Sequence, residues 1–189
     1  MIKKNTGIKA GLTIVSLLIA ADLLAFGTRV DHFLKPQAGV WFGPVTPIFS
    51  TADLVDVTLG GGAFYRHNLP VKSIKLGIDT SYQKMESPGV NELTFVPVYG
   101  SVIYLLPVDF PIKFQFKAGA GGAWLHIKPD EVSQWSPMYM LGTEISFPAG
   151  RRFNIGLRLD YNCIYERHIE GSSQNGHIFT TGITVYVNI

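Results

Sequence analysis

The chain has 189 residues, 47% of them hydrophobic and only 16% charged, with 12 Phe, 8 Tyr and 3 Trp. That balance excludes a disordered chain, which is poor in aromatics and rich in charge, and a lone cysteine, Cys163, excludes a disulfide scaffold or a cysteine-ligated zinc module. The formal net charge of +2 belongs to residues 1–27, where Lys3, Lys4 and Lys9 stand against Asp22; the rest sums to zero, and no basic stripe is offered to nucleic acid.

In chain order, residues 1–9 are basic, residues 10–21 are apolar, and Ala25 and Gly27 occupy the −3 and −1 positions of a cleavage site. This is the three-part anatomy of a secretory signal peptide. Residues 1–27 are therefore predicted to be a cleavable signal peptide, with Ile19-Ala20-Ala21 as a second site for the cut, and residues 28–189 an exported domain. Asp22 interrupts the apolar run short of the ~20 residues that a spanning helix needs.

Beyond the leader, apolar residues alternate instead of recurring at helical spacing. Ile112, Phe114, Phe116, Ala118 and Ala120 share one face, and Lys113, Gln115, Lys117 and Gly119 the other. Phe153, Ile155, Leu157, Leu159, Tyr161, Cys163 and Tyr165 oppose Asn154, Gly156, Arg158, Asp160, Asn162 and Glu166. A period of two over such lengths means long strands with one apolar and one polar face. Eight strands are predicted, over residues 36–44, 55–67, 73–85, 92–107, 111–127, 136–149, 151–167 and 176–189. Most reach the ~9–11 residues that cross a bilayer at a tilt. Tight turns at 69–72, 107–110 and 149–150 alternate with longer loops at 45–54, 85–91, 128–135 and 168–175, as in a transmembrane barrel.

The fold class expected is all-β, an eight-stranded antiparallel up-and-down transmembrane β-barrel. Val57, Leu59, Tyr65, Ile74, Leu76, Ile78, Phe114, Phe116, Leu157, Leu159, Ile183, Val185 and Val187 would face lipid. Tyr82, Tyr104, Trp124, Tyr139, Phe147, Phe153, Tyr165 and Tyr186 would form aromatic girdles, and Cys163 would face lipid among them. The competing reading is a soluble lipocalin-like barrel with its apolar face inside. Glycines crowd the polar face, at Gly60, Gly62, Gly77, Gly119, Gly121, Gly156 and Gly182, which suits the interior of a narrow barrel and favours the membrane reading.

The stretch from Phe95 to Tyr104, the run Lys117-Ala118-Gly119-Ala120-Gly121-Gly122-Ala123-Trp124, and the close on Gly182-Ile183-Thr184-Val185-Tyr186-Val187 resemble the small eight-stranded bacterial outer-membrane barrels of the OmpA/OmpW-like superfamily. The resemblance implies the bacterial outer membrane, outer-membrane lipid as surroundings, termini on the periplasmic side with the short turns, and barrel-assembly machinery as a partner in biogenesis. Thr180, Gly182, Val185 and Val187 are similar to the terminal signal that machinery reads, although the family usually ends in an aromatic residue where this chain has Ile189.

On the polar face, Arg66, Lys75, Lys113, Lys117 and Arg158 stand against Asp79, Glu144, Asp160 and Glu166. A barrel of eight strands is just wide enough to be filled by its side chains, so these charges are expected to pair as a plug, with a narrow polar channel as the alternative. Lys113, Lys117 and Arg158 are expected to converge on Glu144. His32, His67, His126, His168 and His177 show no metal-ligand spacing, and no phosphate loop or cofactor motif occurs. The element His168-Ile169-Glu170 is similar to part of the site of the barrel lipid A deacylases, which carry Ser where Glu170 stands; Ser172 and Ser173 follow only later. A non-enzymatic barrel is expected, structural or for passive transport, with small hydrophobic molecules as the candidate solute. Adhesion through the long loops and a lipid A-modifying hydrolase are the alternatives. Oligomeric state is not legible.

Overall fold

The computed structural model describes residues 35–70, 73–108, 110–129, 131–150, 152–165 and 175–189. The strands are β1 (Gln37–Pro47), β2 (Thr58–Asn68), β3 (Ile74–Glu86), β4 (Glu92–Leu105), β5 (Lys113–Lys128), β6 (Val132–Pro148), β7 (Phe153–Ile164) and β8 (Gly176–Asn188). Each pairs antiparallel with the next, and β8 pairs with β1 to close the barrel. Closure leaves no strand edge, the condition for sheet in hydrocarbon, where no water satisfies a free backbone group.

Strand pairing fixes which face is which. Odd-numbered residues of β1, β3, β4 and β5 point inward, as do even-numbered ones of β2, β6, β7 and β8. Outside stands an apolar belt that includes Val40, Phe42, Leu59, Leu76, Ile78, Phe116, Leu157 and Ile183, all exposed. That places the alternating apolar face outward, opposite to what a lipocalin-like barrel requires.

Four details differ from the sequence reading. Tyr186 is not in a girdle: it shares its face with Thr184 and Asn188 and lies inside the lumen, almost fully buried. Cys163 points outward by parity but is covered, being flanked by Tyr139 and Tyr161, which interact with its thiol. Val57 precedes β2. The expected long loop at 128–135 shrinks to residues 129–131 because β5 and β6 continue past it, while the turn at 106–112 is longer than expected. Loop length therefore separates the two ends less cleanly than strand direction does. The chain enters β1 and leaves β8 at the end carrying the connections 69–73, 106–112 and 149–152; the segments 48–57, 87–91, 129–131 and 165–175 mark the other end. The predicted signal peptide, residues 1–27, lies outside the described residues.

Candidate functional site in the lumen

Bulky inward aromatics sit against glycines on neighbouring strands. Trp41 pairs with Gly62, and its ring also lies over Gly182; Tyr99 pairs with Gly121; Phe64 and Tyr186 both pair with Gly39. A Cβ on Gly62 would come within 2.7 Å of Trp41 Nε1, and one on Gly39 within 2.3 Å of Tyr186 Cβ. Gly39, Gly62, Gly121 and Gly182 are thus the space into which the interior rings pack.

Two groups of ion pairs lie among these rings. In the first, Arg66 of β2 reaches across to Glu144 of β6: Nη1 donates to Oε1 at 3.0 Å and Nη2 to Oε2 at 2.6 Å. Arg66 Nη1 also lies 3.4 Å from Gln115 Oε1, and Gln115 Nε2 donates to Ser146 Oγ at 3.1 Å. The guanidinium sits 4.1 Å above the Phe64 ring centre, with Tyr186 at 5.5 Å. A paired, planar, bidentate contact of this kind has fixed geometry as well as energy.

In the second group, Arg158 of β7 binds Asp160 through Nε and donates from Nη2 to Asp79 Oδ1 of β3 at 3.2 Å and to Tyr99 Oη at 2.9 Å. Lys117 Nζ of β5 lies 2.7 Å from Asp160 Oδ1, an ion pair whose angle is too bent for a directed hydrogen bond. Trp41 lies 5.0 Å from the Arg158 guanidinium. The side chains of Arg66, Glu144, Lys117, Arg158, Asp79 and Asp160 are all essentially inaccessible to water.

Arg66, Lys75, Asp79, Lys117, Glu144, Arg158 and Asp160 therefore line the lumen, but their partners differ from the expected set. Glu144 takes Arg66 instead of a cluster of Lys113, Lys117 and Arg158. Arg158 is the register neighbour of Glu144, yet turns to Asp160 on its own face and to Asp79 across the barrel. Lys113 stands at the turn end, where Nζ donates to the Val108 carbonyl at 3.0 Å. Lys75 is buried and forms no ion pair with a described residue. Glu166 lies outside the described residues, as do His168, Glu170, Ser172 and Ser173.

The loop half of the lumen is mostly apolar, with Gln83, Asn162 and Thr180 among its buried groups, a feature the sequence reading missed. Val45, Met85, Phe95, Leu125, Met138, Met140, Ile164 and Ile178 point inward and are buried together. Val55, from the connection between β1 and β2, joins them. That connection is tethered on both sides. Ile48 N donates to the His177 carbonyl at 3.0 Å and His177 N to Thr51 Oγ1 at 2.9 Å, while Asp56 N donates to the Glu86 carbonyl at 2.9 Å. Charge closes one half and hydrocarbon the other.

The outer wall carries a groove of about 680 Å³ that opens to the lipid side, lined by Val102, Tyr104, Phe116, Leu141, Leu159 and Phe179 among others. No group of three metal-ligating side chains occurs among the described residues.

No protein-family model matches the sequence, and no curated protein is similar to it. Solved structures do share its fold. Neisserial surface protein A superposes with a TM-score of 0.64 at 12% sequence identity, covering 82% of this chain and 97% of that one. The N-terminal β-barrel domain of Pseudomonas aeruginosa OprF gives 0.50 at 14% identity, covering 82% and 98%. Ail, the attachment invasion locus protein of Yersinia pestis, solved with the heparin analogue sucrose octasulfate, gives 0.50 at 12%, covering 82% and 99%. The fold is that of the small eight-stranded bacterial outer-membrane barrels. Its apolar outer belt is the surface such a fold presents to hydrocarbon.

Proposed function

We propose that this barrel serves as a closed membrane scaffold whose working surface is its loop end, not as a diffusion pore. One observation carries the reading: the lumen is filled at two separate levels, by buried ion pairs and by an apolar cluster. The loop end, in turn, exposes Phe49, Leu54 and Val90, apolar groups that lie outside the strands and are suited to contact with another surface. Residues 1–27 direct export and are removed. The terminal strand carries the signal Thr180, Gly182, Val185 and Val187 to assembly machinery. Of the solved structures with this fold, Ail is described as an attachment protein and was crystallised with a sulfated sugar analogue; contact with the cell exterior is the corresponding role here.

The test has two parts. Purified barrel in planar bilayers is expected to show no stepwise conductance, and binding to host cells or matrix is expected to disappear when segment 48–57 or 87–91 is exchanged for a Gly-Ser linker. Open channels in the unmodified protein would overturn the proposal. A second reading, passage of small hydrophobic molecules, draws on the outer-wall groove that runs across β4 to β8. It expects dye uptake into proteoliposomes that Ala118→Phe, which fills the groove, abolishes.

A further inference from the structure

Lumen charges do not balance among the described residues. Arg66, Lys75, Lys117 and Arg158 face Asp79, Glu144 and Asp160, and each cation except Lys75 has a carboxylate within 4.0 Å. Lys75 is only 1% exposed, and it lies close enough to Arg66 and Glu144 to feel both charges. Its register partner on β2 is Asn68, whose amide nitrogen and oxygen are both buried without a partner. Two residues back on the same face, Arg66 gives both terminal nitrogens to Glu144 and leaves Nε–H unused. Two buried donors without a partner, the Asn68 amide and Arg66 Nε–H, and the Lys75 ammonium, which has no carboxylate of a described residue within ion-pair distance, thus belong to one inward face of the β2–β3 hairpin beside its turn.

Buried polar groups without partners are rare and costly, and an unpaired buried charge more so. Water could hydrogen-bond the donors but would leave the charge unbalanced. An oxyanion meets both needs, offering several acceptors and a negative charge to donors that include two cationic groups. Of the carboxylates near the patch, Glu144 is already held bidentately by Arg66 and Asp79 by Arg158. The hairpin turn places the patch at the end where the chain termini emerge, away from the apolar half of the lumen.

We propose that Lys75, Asn68 and Arg66 form a site for a small oxyanion, a phosphate or carboxylate, entering the lumen from the turn end. This stands apart from the role of the loops, because the patch lies at the opposite end of the barrel. Inorganic phosphate is the probe. It is titrated calorimetrically into the full barrel in detergent at constant ionic strength, with chloride as the competing anion. Saturable binding at one site per barrel is expected. Lys75→Met should weaken it at least tenfold, Asn68→Ala several-fold, and Lys75→Arg should retain it. Lys113→Gln, which removes a cation outside the patch, should leave the affinity unchanged. Lys75→Met removes the charge and keeps most of the side-chain length, so the barrel is expected to fold; heat-modified migration on gels checks this. Should it not fold, Asn68→Ala decides. The proposal is overturned by absence of saturable binding in the unmodified barrel, or by unchanged affinity in a folded Lys75→Met or Asn68→Ala variant.

Discussion

Arg66 and Glu144 meet from opposite walls of the barrel, β2 and β6, through paired hydrogen bonds of 3.0 and 2.6 Å in a site with no water access. Neither charge has another opposite charge within ion-pair distance among the described residues. The pair is therefore a strut across the lumen, and its energetics differ from those of a surface salt bridge. Burial costs each ion several kcal/mol, which the partner offsets only while both are present.

Removing one end of this strut should be much worse than removing both. Glu144→Ala is expected to destabilise the barrel by about 3–5 kcal/mol, since the Arg66 guanidinium is left buried and unpaired. The double variant Arg66→Met with Glu144→Ala should cost clearly less than the sum of the single changes. Urea unfolding in lipid vesicles measures all three. Additive effects would mean that the strut carries no coupling.

The outward face gives a second prediction. Phe116 and Leu157 stand in the apolar belt, about half exposed, so Phe116→Arg or Leu157→Arg should cost up to about 2–4 kcal/mol, the cost of a cation at the bilayer midplane. Lys113→Gln at the turn rim removes one hydrogen bond to a carbonyl and should change stability by about 0.5 kcal/mol or less. The same unfolding assay compares them, and equal tolerance at both places would contradict a lipid-facing belt.

Glycine spacing yields a third. A Cβ on Gly121 would lie 2.3 Å from the Val98 carbonyl oxygen and 2.5 Å from Tyr99 Cα, both backbone atoms that a rotamer change cannot move. Gly121→Ala should therefore destabilise by about 1–3 kcal/mol, the usual cost of overpacking. Gly122→Ala, on the outward face where the nearest atom belongs to the Trp135 ring at 3.2 Å, should be tolerated better. Thermal unfolding followed by circular dichroism would separate the two.

The alternation of Phe114, Phe116, Leu157 and Leu159 with Lys117, Arg158 and Asp160 makes the strands and their two faces legible, because a period of two is a local property of the chain. Tyr186 reads as a girdle residue because it lies near a strand end, but its parity with Thr184 and Asn188 sets it inside. The partner of Glu144 was not legible for a different reason. Adjacent strands put Arg158 beside it, but a closed barrel also brings β2 opposite β6, and that long-range contact with Arg66 has no local signature. The apolar half of the lumen was hidden likewise: Met85 and Ile178 sit at strand ends, on the same face as Gln83 and Thr180, where apolar residues read equally well as membrane-boundary groups.

At the loop rim, beyond Tyr82 and Trp124, Lys84 Nζ lies 2.6 Å from Glu86 Oε1 and 3.2 Å from Glu92 Oε2, and Lys128 Nζ lies 3.3 Å from Glu92 Oε1. Partial desolvation alone would raise the Glu92 carboxyl, but hydrogen bonds from Lys84 and Lys128 outweigh it and hold the group below the usual carboxylate range. Because the folded value is depressed, the contribution of Glu92 is present above the ordinary carboxylate range and lost as pH falls through the folded value. A carboxyl-detected NMR titration should place Glu92 below free glutamate. Lys128→Gln or high salt should move it back towards the ordinary value, and an unmoved midpoint would deny the rim network any influence.

The two levels of closure make the last prediction, on conductance. If ion pairs alone sealed the lumen, Glu144→Ala would open a path by freeing Arg66 from its strut. Phe95 and Met140, however, are buried in the apolar cluster of the loop half, with Met85, Leu125 and Ile178 around them. A constriction of packed hydrocarbon excludes ions without any charge, since an ion loses its hydration there and gains no ligand. Glu144→Ala alone should therefore stay silent in planar bilayers, and so should Phe95→Ala with Met140→Ala, behind which both ion-pair groups remain. Only the combination of all three substitutions should produce discrete current steps. Channels from Glu144→Ala alone would show that the apolar level does not seal. Channels from the paired apolar substitutions alone would show that the ion pairs do not.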